Sequence, residues 1–193
     1  MKVDPVCPDK NAILAAVKTL KRGGLIIFPT ETVYGMGADP KNRKAVKKMF
    51  AAKKRPTSKP FQLLISDIKQ AKRAAKKIPK NAAKLMRDLW PGPLTLVVKK
   101  KRSVPDFLTA GLPTVGLRMP DHPVALAVIK AFKGPIAATS ANISGKKAPK
   151  TAKQAVKDLK NHVEIILDSG QTKIGIASKV LDISGSRVRT LRK

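Results

Sequence analysis

The chain has 193 residues, 42% of them hydrophobic, and carries a formal net charge of +29 from 41 Lys and Arg against 12 Asp and Glu. That length suffices for one domain with a buried core, and the longest apolar runs fall far short of the roughly 20 residues a bilayer span needs. A lone Cys7 excludes an internal disulfide and a cysteine-built metal site.

Residues 1–8 read as a short tail, with neither the charged start nor the apolar stretch of a signal peptide, so a cytoplasmic location is expected. Asp9 is a good N-cap for a first helix whose inward face holds Ile13, Leu14, Val17 and Leu20. Gly23-Gly24 stops it. Leu25 to Phe28 reads as a buried strand, and Pro29 to Asp39 as a long loop. A second helix turns Val46, Met49 and Phe50 inward and ends before Pro56. Phe61 to Ile65 is a short strand; Ser66 or Asp67 caps a lysine-rich helix through Ile78, and Pro79 opens another through Leu89.

Leu94 to Lys99 and Thr114 to Leu117 are strands, and Asp121 caps a helix to about Phe132. Pro135 to Thr139 is a strand that runs into the polar loop Ser140 to Gly145. Thr151 caps a helix ending near Asn161, after which Val163 to Leu167, Ser178 to Ile183 and Val188 to Leu191 are strands. Strands and helices alternate without an internal repeat. The pattern predicts an α/β fold, one domain over residues 1–193, around a mixed sheet.

Familiar catalytic motifs are missing: there is no phosphate loop of the Gly-x-x-x-x-Gly-Lys-Ser/Thr kind and no Gly-x-Gly-x-x-Gly. His122 and His162 stand apart without metal-ligand spacing, so no protein-held metal is expected, and His122 reads as structural in a helix-opening Asp-His-Pro. Chemistry here must rest on cations and hydroxyls. Four polar segments follow predicted elements, where α/β proteins place ligands. They are Pro29 to Gly37, with hydroxyls and glycines; Lys53 to Pro60, with four cations beside two prolines; Thr114 to Pro120, with Arg118 at a strand end; and Ala138 to Gly145. In the last, Ser140, Asn142 and Ser144 alternate, so their side chains can share one side of an extended segment. Each alone is equally readable as a capped turn, a solvated helix end or a surface salt bridge.

The segments together resemble the threonylcarbamoyl-AMP synthase family, the YrdC-like proteins, over about residues 23–182. Five markers stand in order: Phe28-Pro-Thr-Glu-Thr-Val-Tyr-Gly, Lys53-x-Arg55-Pro, Trp90-Pro-Gly-Pro-Leu-Thr-Leu, Val115-Gly-Leu-Arg-Met-Pro and Thr139-Ser-Ala-Asn-Ile-Ser-Gly. The resemblance, to the short single-domain form, implies a sheet curved around a basic concave cleft. It also implies a reaction, in which L-threonine, bicarbonate or CO2, and ATP with Mg2+ give threonylcarbamoyl-AMP and pyrophosphate. A separate transferase would then use the product on tRNA. By motif, Lys53 and Arg55 would neutralise phosphates, with Asn142, Thr114 and Arg192 near the nucleotide; Lys53, Arg55, Ser140 and Asn142 form the implied catalytic set. Thr32, Arg118, Ser140 and Ser178 would surround threonine. Thr30, Tyr34, Lys59 and Ser144 would lie near the site, and Trp90 to Leu96 would shape its wall.

The chain departs from the family pattern in three places: Lys179 follows Ser178, Lys59 and Phe61 replace the usual residues around Pro60, and the sequence reads Leu191-Arg192-Lys193 at its end. From Lys41 to Arg102 there are twenty-one basic residues and two acids. That run is either a solvated lysine-rich surface or a face that meets tRNA or double-stranded RNA. Two rivals follow: a non-catalytic RNA-binding protein on the same fold, and a relative that makes another carbamoyl adenylate, as in hydrogenase maturation.

Overall fold

In the computed structural model, which describes residues 1–193, Asp9 accepts a hydrogen bond from the Ala12 amide and opens helix α1, Lys10–Lys21. Its buried face is Ala12, Ile13, Ala16, Val17 and Leu20. Leu14, expected inward, is 49% exposed, because it sits one helical step off the stripe set by 13, 16, 17 and 20. The remaining helices are α2 (Arg43–Ala52), α3 (Ile68–Ala74), α4 (Lys80–Leu89), α5 (Asp106–Thr109), α6 (Pro123–Phe132) and α7 (Ala152–Leu159). The strands are β1 (Ile26–Phe28), β2 (Gly35–Ala38), β3 (Gln62–Leu64), β4 (Leu94–Lys99), β5 (Thr114–Arg118), β6 (Ile136–Ser140), β7 (Ile165–Ile166), β8 (Lys179–Asp182) and β9 (Arg189–Arg192).

All nine strands form one sheet in the order β7-β1-β2-β6-β3-β5-β4-β8-β9, with parallel and antiparallel neighbours mixed. The single mixed α/β sheet is therefore as expected, but four local expectations change. The segment read as a loop from Pro29 to Asp39 contains β2, which lies between β1 and β6. Residues 1–8 are not a loose tail: Lys2 bridges Asp168, the Val3 amide donates to the Asp168 carbonyl at 2.8 Å, and Val3 is buried. Helix α3 ends at Ala74 instead of Ile78 because Ala75 turns extended and pairs with Lys100. The cap of α6 is His122, whose Nδ1 accepts from the Val124 amide at 3.2 Å; Asp121 lies one residue too early.

Side chains alternate across the sheet. On one face Ile27, Leu63, Leu96, Leu117 and Ala137 join the larger core cluster, over which Met49 of α2, Met86 of α4 and Leu159 of α7 pack. On the other face α1 and α6 bury Ile26, Phe28, Leu64, Ile136 and Ala138. These two helices cover that face only as far as β3 and β6. Beyond them, over β5, β4 and β8, the same face floors a cavity.

Candidate active site

The cavity has a volume of about 640 Å³, within the range of small-molecule sites. Its floor follows the strand period: Thr114, Gly116 and Arg118 of β5, Thr95 and Val97 of β4, Gln62 and Leu64 of β3, Ala138 and Ser140 of β6, and Val180 and Asp182 of β8 all face it. Thr30, Ser178, Arg55, Arg189 and Arg192 add polar groups to its wall. Strands distant in sequence thus bring together seven of the residues singled out in the sequence: Thr30, Arg55, Thr114, Arg118, Ser140, Ser178 and Arg192.

Four guanidinium groups line the space, and they are not equivalent. Arg189 Nη2 is 2.6 Å from Asp182 Oδ2. Arg118 Nη2 lies 2.8 Å from Glu31 Oε1, with both residues about 4% exposed, donates to Thr32 Oγ1 at 2.9 Å, and Nε donates to the Gly92 carbonyl at 3.2 Å. The Glu31 contact is an ion pair without hydrogen-bond alignment, and neither of its carboxylate oxygens has another donor. Arg55 and Arg192 have no carboxylate partner. Arg55 donates from Nε to the Lys59 carbonyl and from Nη2 to the Pro60 carbonyl, each at 3.0 Å, with its guanidinium 5.3 Å from the centre of the Phe61 ring. Phe61, a departure from the family pattern, is thus the platform on which Arg55 lies. Arg192 donates from Nε to the Ser178 carbonyl at 2.7 Å and from Nη2 to Ser178 Oγ at 3.1 Å. Burial, followed by the charge of Arg192, lowers the pKa of Arg55; burial, followed by the charge of Arg118, lowers that of Arg192. These cations feel one another across the cavity.

Hydroxyl chemistry near Arg118 is directional. Thr30 Oγ1 donates to the Val33 carbonyl at 2.7 Å, so the 2.8 Å bond between Thr30 and Thr32 uses the Thr32 proton. Thr32, fully buried behind Thr30, then accepts from Arg118.

Six of the sequence candidates lie outside the lining: Thr32 behind Thr30, and Lys53, Asn142, Ser144, Tyr34 and Lys59. Lys53 differs most from expectation. It is 1% exposed, and its ammonium donates to the carbonyls of Ser140 and Asn142 from behind the loop instead of facing the cavity. Its own carbonyl accepts the Ser144 amide at 2.8 Å. Burial, with Arg55 nearby, lowers the Lys53 pKa from 10.5 to about 7. Asn142 is also turned inward, its Nδ2 donating to the Ile143 and Lys146 carbonyls at 2.8 Å. Ser140 reaches the cavity, whereas Ser144 serves the loop through its backbone. Tyr34 Oη donates to the Gly170 carbonyl at 2.7 Å and accepts from the Ser169 amide at 3.1 Å, tying β2 to the strand-end loop beyond β7. Lys59 touches the site through the carbonyl that holds Arg55; its side chain is exposed.

Sequence reasoning missed Glu31, Gln62, Thr95 and the Asp182–Arg189 pair. The alternation of β4 and β5 carried the signal for Thr95 and Gly116, since both fall in register with Arg118 on the polar face.

Residues 18–193 match the family model Sua5/YciO/YrdC, described as "Telomere recombination". The chain belongs to this family. The match is longer than the stretch 23–182 that the motifs delimit, and takes in the last turn of α1 and β9. Among curated Sua5/YciO/YrdC proteins, the chain is 45% identical to the threonylcarbamoyl-AMP synthase of Pyrococcus abyssi over 89% of this chain and 51% of that protein. It is also 45% identical to the synthase of Bacillus subtilis over 92% of this chain and 52% of that one. The chain spans about half the length of these relatives. A solved structure of P. abyssi Sua5 complexed with L-threonine superposes with a TM-score of 0.95 at 41% identity, covering 100% of this chain and 57% of that one.

Proposed function

We propose that the chain is the synthase unit of an L-threonylcarbamoyl-AMP synthase, a nucleotidyltransferase acting in the cytoplasm on ATP, L-threonine and bicarbonate or CO2. The observation that carries this reading is a cavity of about 640 Å³ walled by two guanidiniums, Arg55 and Arg192, that lack a carboxylate partner. Such a site is preloaded for a polyanion. The threonine complex of the P. abyssi relative supports the amino-acid half of the proposal.

In this reading Arg118 takes the threonine carboxylate, with Thr32 fixing the guanidinium, and Ser140 and Ser178 flank the amino acid. Arg55 and Arg192 take the phosphates, and Thr114 lies at the nucleotide end. A carbamate oxygen forms the new bond to the α-phosphorus. The bond from that phosphorus to the bridging oxygen breaks, and its electron pair leaves with pyrophosphate. Both reactants are anions, so fixed cations lower the repulsion between them and stabilise the charge that develops on the leaving group. Lys53 and Asn142 act by holding the loop that presents Ser140.

The chain offers no group of three or more His, Cys, Asp or Glu able to hold a metal ion, and the oxygens of Asp182 are engaged by Ser184 and Arg189. These residues do not form a Mg2+ cage, and in this reading Mg2+ arrives with the ATP phosphates. No helix is long and apolar enough to cross a membrane.

Product would pass to a tRNA threonylcarbamoyl transferase. Contact with tRNA or double-stranded RNA is proposed for one surface. Lys72, Arg73, Lys76 and Lys77 lie beside Lys99, Lys101 and Arg102, because the Lys76 amide donates to the Lys99 carbonyl and the Lys101 amide to the Ala74 carbonyl, each at 2.8 Å. All seven are exposed.

The test is pyrophosphate release from ATP, with each amino acid supplied in turn. Release that requires both threonine and bicarbonate is expected. Release that ignores threonine would favour another carbamoyl adenylate, and none at all would favour the RNA-binding rival.

A further inference from the structure

A line of hydrogen bonds crosses the cavity floor from the last strand to β3. Arg192 Nη2 donates to Ser178 Oγ at 3.1 Å, Ser178 Oγ lies 2.9 Å from Thr95 Oγ1, and Thr95 Oγ1 donates to Gln62 Oε1 at 2.9 Å. Thr95 has one proton and gives it to Gln62 Oε1, so the polarity of the line is set at that end. The bond between Ser178 and Thr95 then uses the Ser178 proton, while Ser178 Oγ accepts from Arg192. Gln62 therefore presents its carbonyl oxygen to the line and keeps both Nε2 hydrogens for something else. No protein acceptor takes them, although Gln62 lines the cavity.

The line exists because β5, which lies between β3 and β4, has a glycine at the crossing point. A Cβ on Gly116 would stand 3.2 Å from Gln62 Cβ and 3.3 Å from Thr95 Cγ2. Its absence lets the two side chains meet over β5. Along that strand Gly116 is midway between Thr114 and Arg118, about 7 Å from each at the usual rise. Across the strands, Gln62 is flanked by Arg55, anchored two residues upstream at the Pro60 carbonyl, and by Arg192 at the far end of the line. A donor held between two cations favours an anionic oxygen.

We propose that Gln62 is a catalytic residue whose Nε2 donates to the oxyanion at the centre of the cavity, a non-bridging α-phosphate oxygen or a carbamate oxygen. This rests on the synthase reading and gives it a residue at the reacting atoms. Gln62→Leu removes the donor, and Gln62→Glu keeps the shape while placing a negative charge there.

In steady-state pyrophosphate release, kcat should fall by about 10²-fold in both variants, with KM for threonine little changed. Gly116→Ala, whose methyl group must push Gln62 and Thr95 apart, should lower kcat in the same direction while all three variants keep the urea midpoint of the unaltered chain. Calorimetry with α,β-methylene ATP separates the two oxygens. Affinity lost with the nucleotide alone assigns the α-phosphate, and affinity lost only with threonine and bicarbonate present assigns the carbamate. Unaltered kcat and unaltered binding in Gln62→Leu overturn the proposal. If the unaltered chain releases no pyrophosphate, the synthase reading falls, and the calorimetry still decides Gln62: unchanged affinity for α,β-methylene ATP in both Gln62 variants overturns it.

Discussion

Replacing Lys53 by Met keeps the aliphatic stem in place and removes the buried ammonium beneath the Ser140–Ser144 loop. Burial and the neighbouring Arg55 bring the Lys53 pKa from 10.5 down to about 7. Below about pH 7 folded and unfolded chains both hold the proton, so Lys53 adds no pH dependence. Above it the unfolded chain keeps a proton that the folded chain has released, and stability rises with pH until the unfolded value is passed. At 1.36 kcal/mol per unit, and with the folded group half titrated at the start, the gain from pH 7 to pH 9 is about 2 kcal/mol. Deprotonation breaks no bond, because a neutral amine still has two N–H groups for the carbonyls of Ser140 and Asn142. Urea unfolding of both proteins over about pH 6 to 9 isolates this residue, since every other lysine cancels in the difference. The expected result is a gap that widens by about 2 kcal/mol between pH 7 and pH 9 in favour of the unaltered chain. On top of it lies a pH-independent loss of about 1–3 kcal/mol for each carbonyl left without a donor. Parallel curves across that range would refute the depressed pKa. A variant as stable as the original at every pH would refute the staple itself.

Two further outcomes test other parts of the molecule. Glu31→Ala leaves the Arg118 guanidinium buried without its anion and should cost about 3–5 kcal/mol of stability by urea unfolding; a loss within the scatter of surface substitutions would mean that water already compensates the charge. For the basic surface, log Kd for duplex RNA plotted against log salt should be steep in the unaltered chain. It should flatten when Lys72, Arg73, Lys76 and Lys77 are changed together to Gln, with pyrophosphate release preserved because none of the four lines the cavity. A slope that is shallow from the outset leaves these lysines as ordinary solvated surface.

Much of the fold was legible because its punctuation is local. Asp9, Asp67 and Thr151 each cap the helix expected of them, and β4 has the expected bounds from Leu94 to Lys99. What could not be read depends on neighbours distant in the chain. Gly35-Met36-Gly37-Ala38 has little strand propensity, and it becomes β2 only because β1 and β6 pair with it from either side. Residues 1–8 lack an apolar run, yet Val3 is held by a backbone bond to Asp168. The same limit applies at the site. Lys53 and Arg55 are two residues apart, and the sequence cannot say that the second faces the cavity while the first is wrapped by the loop after β6. Asn142 follows Ser140 at the same spacing, and there too only one of the pair reaches the cavity. Alternation in an extended segment predicted that their side chains would converge. The loop instead bends at Asn142, whose amide donates to the Ser140 carbonyl at 3.0 Å, so the period of two is lost where it was relied on.

Glycines in two central strands explain how one face of the sheet can be a core at one end and a ligand site at the other. In β2, a Cβ on Gly37 would stand 2.8 Å from Phe28 Cε1 and 3.0 Å from Ile136 Cγ2. The gap lets apolar side chains of β1 and β6 close over the strand between them, giving α1 and α6 a smooth surface to cover. In β5, Gly116 leaves the same kind of gap, but the side chains that meet across it are Gln62 and Thr95. No helix covers that crossing. The difference lies in the flanking residues, because a missing side chain lets neighbours touch without dictating their chemistry. Phe28 and Ile136 satisfy each other and exclude water. Thr95 Oγ1 meets Gln62 Oε1, the Gln62 amide nitrogen has no protein acceptor, and both residues line the cavity together with Arg55 and Arg192. Filling the Gly37 gap would be felt as strain in a core, whereas filling the Gly116 gap would be felt in the alignment of a donor. A stability assay and a turnover assay should therefore rank these two glycines in opposite orders.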